Sequence, residues 1–82
     1  MNELKIKARN SNETMGPMLK QIRTDKRFTM RALADNLGTP HSFISKTEQL
    51  NRRLDVGEFI HYCIALESDP VEVFQKLVKA AK

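Results

Sequence analysis

The side chains best suited to recognition chemistry follow a short break in an apolar pattern. The stretch LADNLGTPHSFISKTE, residues 33–48, carries two apolar patterns of helical spacing, and Gly38-Thr39-Pro40 separates them. The polar side chains that come after this break include His41, Ser42, Ser45 and Lys46. Lysine donates to guanine O6 and N7, serine donates or accepts, and histidine donates to a purine edge. The stretch therefore has the chemistry required to read base pairs.

Catalysis and metal binding have little support in the residues present. The chain has two histidines, His41 and His61, and one cysteine, Cys63. These form no constellation of acid, base and nucleophile, and the usual spacings of metal ligands are missing. We expect a protein that is not an enzyme and that uses no metal, cofactor or small-molecule ligand.

The composition predicts one small helical domain. The chain has 82 residues, of which 40% are apolar and 6% aromatic, and a core of this size packs mainly through local contacts. A single cysteine forms no internal disulfide, which favours a reducing cytoplasm. The N-terminus lacks the apolar core of a signal peptide, and no apolar run approaches the roughly 18 residues that a membrane span needs. We expect a cytoplasmic protein with no membrane partner.

Charge is distributed unevenly along the chain. Residues 1–54 carry a net charge of +6, and residues 55–82 carry −2. A basic part of this kind suits a polyanionic partner, and the neutral or acidic part is then available for another purpose. Ordinary solvated surface charge is the alternative interpretation.

Apolar spacing and end signals predict five helices. The predicted starts are, in order, Gly16-Pro17, Thr29, Thr39, Asp55 and Asp69. The first helix should end near Lys26, and Gly38 should end the second in a left-handed conformation. The residues expected to be buried are Met18, Leu19, Ile22, Leu33, Ala34, Leu37, Ile44, Thr47, Glu48, Val56, Phe59, Ile60, Cys63, Val73, Phe74, Leu77 and Val78.

Residues 1–13 are predicted to form a flexible N-terminal arm, and residues 14–82 a single domain. The segment Leu4-Lys5-Ile6-Lys7-Ala8 alternates as a short strand does, but a frayed tail is the preferred interpretation. In that form Lys5, Lys7 and Arg9 could reach a minor groove.

The break at Gly38-Thr39-Pro40 is typical of a helix-turn-helix. Two helices joined by a turn of three or four residues with a glycine cross steeply, and the second projects into a major groove. We therefore interpret the break as the feature that directs the third helix outward. On that helix Ile44 points to the core, and Ser42, Ser45, Lys46 and Gln49 lie towards the other side. His41 is in the first turn, which enters the groove deepest in this class of motif.

Residues 18–66 resemble the Cro and phage-repressor type of helix-turn-helix, the XRE family. The resemblance rests on LKQIR, TMRALADNLGTPHSFISKTE and LDVGEFIHYCIAL. Counted from Met30, the small fifth residue is Ala34, the glycine at the ninth place is Gly38, and the branched residue at the fifteenth is Ile44. The resemblance implies an all-α, five-helix, lambda-repressor-like domain with the helix-turn-helix at helices 2 and 3. It also implies a bacterial or phage-encoded, nucleoid-associated regulator.

The family pairs an arginine of the first helix with a glutamate late in the third, and Arg23 and Glu48 stand at these places. We interpret them as a structural ion pair. The family's base contacts match His41, Ser42 and Lys46, with Ser45 and Phe43 as second choices. Phe43 could contact a thymine methyl group. The alternatives are that Phe43 only packs at the rim of the core and that His41 only occupies the start of the helix.

Phosphate contacts are expected from side chains around the second helix and after the third, although a solvated face is the alternative for each. These are Lys26, Thr29, Arg31, Thr39, Gln49, Asn51, Arg52 and Arg53. Two departures from the family pattern affect this transfer. Met30 stands where a phosphate-binding glutamine is common. Leu50 stands where a glycine is common, so either Asn51 takes the left-handed conformation or the loop follows another path.

We interpret the protein as a regulator, most simply a repressor, that binds a palindromic operator in double-stranded DNA as a homodimer. The last helix, VEVFQKLVKAAK, is the candidate dimer element through Phe74, Leu77 and Val78, although it could also only close the core. The alternative is a protein-interaction module of helix-turn-helix shape, such as an adaptor or an antitoxin. The polar and cationic character of the third helix favours DNA over a protein partner.

Overall fold

The computed structural model describes residues 2–81, and over that range it is all-α. Its five helices are α1 (Glu3–Asp25), α2 (Met30–Leu37), α3 (His41–Glu48), α4 (Val56–Ala65) and α5 (Pro70–Ala81). The predicted five-helix fold with a helix-turn-helix at α2 and α3 is confirmed. Met1 and Lys82, the outer ends of the two predicted segments, lie outside the described residues.

The first helix is much longer than the sequence pattern predicted. It begins at Glu3, where the side chain of Asn2 accepts a hydrogen bond from the Lys5 N–H at 2.8 Å. Residues 3–13 are therefore helical, and the predictions of an arm, a strand or a frayed tail there are wrong. Pro17 lies inside the helix and does not begin it.

Tertiary contact explains why this helix continues past a proline. The N-terminal half of α1 lies along α5, where Lys7 and Thr14 face Leu77 and Ala80 across a shared cleft. A 23-residue helix is about 34 Å long at 1.5 Å per residue, close to the longest dimension of the protein, 38 Å. Because most helical stability comes from packing, this contact adds to the local support that the Asn2 cap and the Glu3–Lys7 pair give the segment.

The core lies where α1, α2, α3 and α4 meet, with α5 closing one end. Its fully buried large side chains are Leu19, Leu33, Ile44, Tyr62, Cys63 and Leu66. Four residues that were predicted to be buried are exposed instead: Val56, Ile60, Phe74 and Val78. Phe59 and Val73 already fill the contact of α4 and α5 with the rest of the fold, and nothing among residues 2–81 covers the other apolar side chains.

Helices α1 to α4 all end in the same way. The chain leaves each helix through one residue of positive φ: Arg27, Gly38, Leu50 and Glu67. The following N–H then donates to a carbonyl five residues back, as when Thr39 donates to Ala34 at 3.0 Å. This C-terminal motif favours glycine, yet only α2 uses one. The helix therefore ends where packing requires it even with a side chain that resists the left-handed conformation.

The N-termini of three further helices are closed by side chains, as Asn2 closes that of α1. Thr29 caps α2, and Asp55 with Glu58 forms the predicted capping box of α4. In α5 the Asp69 side chain accepts from the Val71 N–H at 2.9 Å. The prediction that Thr39 caps α3 is wrong. Pro40 is the N-cap and makes no side-chain hydrogen bond.

We predict that Gly38→Ala lowers the free energy of unfolding by about 1 kcal/mol, because alanine resists a φ of +73°. An added Cβ at Gly38 meets nothing within 4 Å, so the loss measures backbone conformation alone. The matched control is Gly57→Ala in α4, where φ is not positive and the added Cβ makes only an ordinary contact of 3.5 Å to Asp55 Oδ1. That variant should gain about 0.5 kcal/mol. Urea unfolding followed by circular dichroism measures both, and equal effects of one sign would contradict the explanation.

Candidate nucleic-acid interface

The helix-turn-helix positions α3 through its buried side. Ile44 is fully buried and packs in the same cluster as Leu33 and Ala34 of α2. Thr47 is also buried, and its hydroxyl donates to the Phe43 carbonyl at 2.7 Å. Gly38 separates the two helices with a left-handed conformation. The side of α3 opposite Ile44 is consequently directed to solvent.

A buried ion pair holds the end of α3 against α1. Arg23 Nε donates to Glu48 Oε2 at 2.6 Å, and Arg23 Nη2 donates to Glu48 Oε1 at 3.1 Å. The exposed fractions of the two side chains are 9% and 2%. The third nitrogen, Arg23 Nη1, donates to the Phe28 carbonyl at 2.8 Å. One guanidinium thus joins α1, the start of the helix-turn-helix and the end of α3.

Phe43 lies at the rim of the core. Its ring is half-buried, with its centroid 6.3 Å from that of Tyr62. The Arg52 guanidinium lies over the Phe43 ring, 4.5 Å from the ring centroid, and also donates to Glu58 Oε2. This arrangement favours the core-rim interpretation of Phe43 and uses Arg52 to secure the loop after α3.

The exposed side of α3 presents three of the five side chains that were predicted to contact bases. His41, Ser42 and Lys46 are exposed, and they lie within about a turn and a half of one another. Ser45 is half-buried, and its hydroxyl donates to the Ser42 carbonyl at 3.2 Å. The surface offers an imidazole and a hydroxyl in the first turn of α3 and an ammonium group in its last turn. The first turn is the part of such a helix that enters a groove deepest.

Of the eight side chains predicted to contact phosphates, Arg52 is engaged in the loop after α3, and the others differ in their surroundings. Five of them are exposed on either side of α3, and these are Thr29, Arg31, Gln49, Asn51 and Arg53. Thr39 differs because its hydroxyl oxygen is shielded from solvent and has no hydrogen-bond partner within residues 2–81. It cannot reach a phosphate in this conformation.

Lys26 lies apart from the other cationic candidates. Its ammonium group donates to the Glu67 carbonyl, across the cleft between the end of α1 and the loop before α5. Carboxylates of Asp25, Asp69 and Glu72 line the same cleft. An acidic environment of this kind repels a phosphate, so the structure does not unite Lys26 with the α3 surface.

The two departures from the family pattern have structural explanations. Leu50 itself takes the left-handed conformation, with a φ of 66°, and Asn51 does not. The Leu50 side chain remains half-exposed while its terminal carbon approaches Gly16 of α1. Met30 packs against the core cluster and fills space as an apolar side chain.

Two titratable side chains of α4 are buried in the core. Burial raises the pKa of the Cys63 thiol to about 11, and the nearby Asp69 carboxylate adds to the shift. Burial also raises the pKa of Tyr62 well above its usual range, with Glu48 contributing in the same direction. Both groups are therefore neutral at physiological pH and serve as packing residues.

Sequence reasoning missed a second cationic position near α3. Arg9, which was assigned to a mobile arm, lines a cleft with Arg52 and Arg53 of the loop after α3. The signal that could have revealed it is the spacing of Arg9, Asn12 and Gly16, which repeats as one face of a continuous helix does.

The described residues contain neither a metal site nor a membrane-spanning helix. Over residues 2–81, no group of three or more histidine, cysteine, aspartate or glutamate side chains is arranged to hold a metal ion. No helix in that range is long and apolar enough to cross a membrane.

Comparison with solved structures supports the same class of fold. An XRE-family like protein from Pseudomonas syringae pv. tomato str. DC3000 is 34% identical, with a TM-score of 0.90 and full coverage of both chains. The restriction-modification controller protein C.AhdI from Aeromonas hydrophila is 25% identical, with a TM-score of 0.70 over 79% of this chain and 97% of that one. The clp gene regulator ClgR from C. glutamicum has a TM-score of 0.77 at 23% identity, over 85% and 91%, and its similarity concerns the fold alone.

The fold and the exposed α3 surface define a lambda-repressor-like helix-turn-helix protein. No protein-family model matches the sequence, and no curated protein matches it significantly. The full-length match at 34% identity is sufficient for assignment, and the chain belongs to the XRE family.

We predict that Glu48→Met lowers the free energy of unfolding by about 3 kcal/mol, because it leaves the buried Arg23 guanidinium without its counter-charge. The double variant Arg23→Met/Glu48→Met should recover a large part of that loss, since it buries no unpaired charge. Urea unfolding of the native chain, of the single variants Glu48→Met and Arg23→Met, and of the double variant gives the double-mutant cycle. As a control, Glu3→Met breaks the exposed Lys7–Glu3 pair and should cost far less. Additive losses in the cycle would contradict a coupled pair.

Proposed function

We propose that this protein is a sequence-specific DNA-binding transcriptional regulator, acting as a repressor, with α3 in the major groove. The observation that carries the proposal is the contrast between the two sides of α3. One side is locked by Ile44 and the Arg23–Glu48 pair, and the other presents His41, Ser42 and Lys46 to solvent. A rigid helix with exposed donors and acceptors meets the requirement of direct base readout.

Charge supports DNA as the partner. The exposed cations Arg31, Lys46 and Arg53 lie before, on and after α3, and residues 1–54 carry a net charge of +6. Phosphate contacts of this kind supply most of the affinity of DNA-binding proteins and set the register of the recognition helix. In the proposed complex Thr29, Arg31, Gln49, Asn51 and Arg53 contact the backbone on either side of the bases that α3 reads.

The apolar surface supports a homodimer over a foreign protein partner. Val56, Phe74 and Val78 line one groove of about 350 Å³ with the half-buried Leu77, and Val56 and Phe74 are 76% and 56% exposed. Exposed apolar patches of this kind mark interaction sites. A single helix-turn-helix makes too few contacts with DNA for useful affinity, whereas two copies on a palindromic operator make enough. A second copy that binds through this apolar surface would form the required dimer.

We predict that Lys46→Ala relaxes sequence preference at one symmetric position of the operator, because it removes a donor to a guanine edge. Selection from random duplex DNA, with recovered sequences read out, measures the preference of the native chain and the variant. The native chain should recover an inverted repeat. Discrimination at the affected position should fall by about 1–3 kcal/mol.

The control for this selection is Lys76→Ala on α5, which removes the same charge from a cleft lined by acidic side chains. It should leave the recovered consensus unchanged. Salt-sensitive binding of the native chain without any consensus would overturn sequence-specific recognition.

We predict that Phe74→Asp converts the protein from dimer to monomer, because the substitution places a charge in the apolar surface that the second copy covers. Sedimentation equilibrium at tens of micromolar without DNA measures the mass. Gln75→Asp introduces the same charge at the neighbouring exposed position and should leave the dimer intact. A native chain that sediments as a monomer would contradict the dimer and favour an adaptor or antitoxin-like role.

A further inference from the structure

A basic cleft lies between the N-terminal half of α1 and the loop after α3. Its volume is about 240 Å³. The side chains that matter for its chemistry are Arg9, Asn12, Glu13, Leu50, Arg52 and Arg53. Arg9 and Asn12 come from α1, and the two neighbouring arginines come from the loop. The cleft therefore exists only because α1 continues through residues 3–13.

The close approach of α1 to the end of α3 fixes the geometry of this cleft. An added Cβ at Gly16 would lie 3.0 Å from the Thr47 carbonyl oxygen and 3.1 Å from that of Glu48. Arg9 precedes Gly16 by seven residues, which is two helical turns or about 10 Å along the same face. The helix thus carries Arg9 past the end of α3 and alongside the loop that contains Arg53.

The charge balance of the cleft is positive. Three arginines and one acidic residue, Glu13, line the cleft. Arg9 has an interaction partner of its own, and Arg52 donates to Glu58 Oε2. The Arg53 guanidinium makes no hydrogen bond or ion pair within residues 2–81, and its carbonyl accepts from Arg52 at 3.0 Å. Asn12 adds an amide donor. Arginine forks and an amide are the groups that bind the oxygens of a phosphodiester.

We propose that this cleft binds one phosphate of the DNA backbone between Arg9 and Arg53. The DNA-binding surface then continues from α3 and its following loop onto the N-terminal half of α1. This inference rests on the proposed function, because DNA with α3 in its major groove passes its backbone beside the loop after α3. A phosphodiester is the ligand that both the cation set and this location favour.

The experiment measures the DNA affinity of the full chain at several salt concentrations, for the native protein, Arg9→Gln, Arg53→Gln and the double variant. Each single variant should bind about 3- to 10-fold more weakly, and by the same factor on the selected operator and on random duplex. The slope of log K against log salt should become shallower by about 0.9 in each, which is one phosphate. The double variant should lose less than the product of the two single effects, because both arginines hold the same phosphate.

The control is Lys76→Gln, which removes one positive charge far from this cleft and should leave affinity and slope unchanged. If the salt slope of Arg9→Gln equals that of the native chain while the slope of Arg53→Gln is shallower, Arg9 does not contact a phosphate. The inference about α1 is then wrong and the proposed function stands. If the native chain shows no salt-dependent binding to duplex DNA, both proposals are wrong.

A separate arm distinguishes DNA from a free phosphate ligand. Inorganic phosphate is added at constant ionic strength while DNA binding is measured. We expect no competition beyond that of chloride. Competition that disappears in Arg9→Gln would assign the cleft to a small phosphate compound and overturn its assignment to DNA.

Discussion

The buried pair of Arg23 and Glu48 is the interaction on which the arrangement of the interface depends. Its three hydrogen bonds connect the end of α1, the Phe28 carbonyl before α2 and the last residue of α3. A buried pair of this kind adds little net stability, because desolvation offsets most of its attraction. It does oppose other arrangements, since any rotation of α3 would leave one of the two charges buried and unpaired. The pair therefore serves to orient α3 more than to stabilise the fold.

A second constraint is the close approach of α1 to the end of α3. Gly16 permits this approach, and the side chain of Leu50 lies against it from a left-handed position that leucine resists. The surrounding contacts hold Leu50 in this conformation and offset its energetic cost. As a result the loop after α3 has a defined path, with Arg52 held between Phe43 and Glu58. Residues at which a regulator of this family would meet the DNA backbone thus belong to a rigid frame.

The two ends of the molecule differ in the chemistry that they expose. Around α3 the exposed side chains are polar or cationic, whereas the groove between α1, α4 and α5 exposes Val56 and Phe74. A small monomer gains nothing by leaving such side chains uncovered. The division is consistent with one surface for nucleic acid and another for a second copy. The long α1 reaches both, because its N-terminal half lies along α5 on one side and lines the basic cleft on the other.

The sequence by itself determined the elements whose signals are local. Thr29 and Gly38 mark the ends of α2, Asp55 with Glu58 marks the start of α4, and the apolar spacing around Ile44 gives α3 its buried side. Tertiary structure alone decided the rest. The N-terminal half of α1, which begins at Glu3, lies along α5 across a shared cleft, and Phe74 is exposed because Val73 already fills the contact of α5 with the core. Arg9 lines the basic cleft because α1 is helical through residues 3–13. Capping residues and apolar spacing can be read from a sequence, whereas the surface against which each helix packs is determined only in the folded chain.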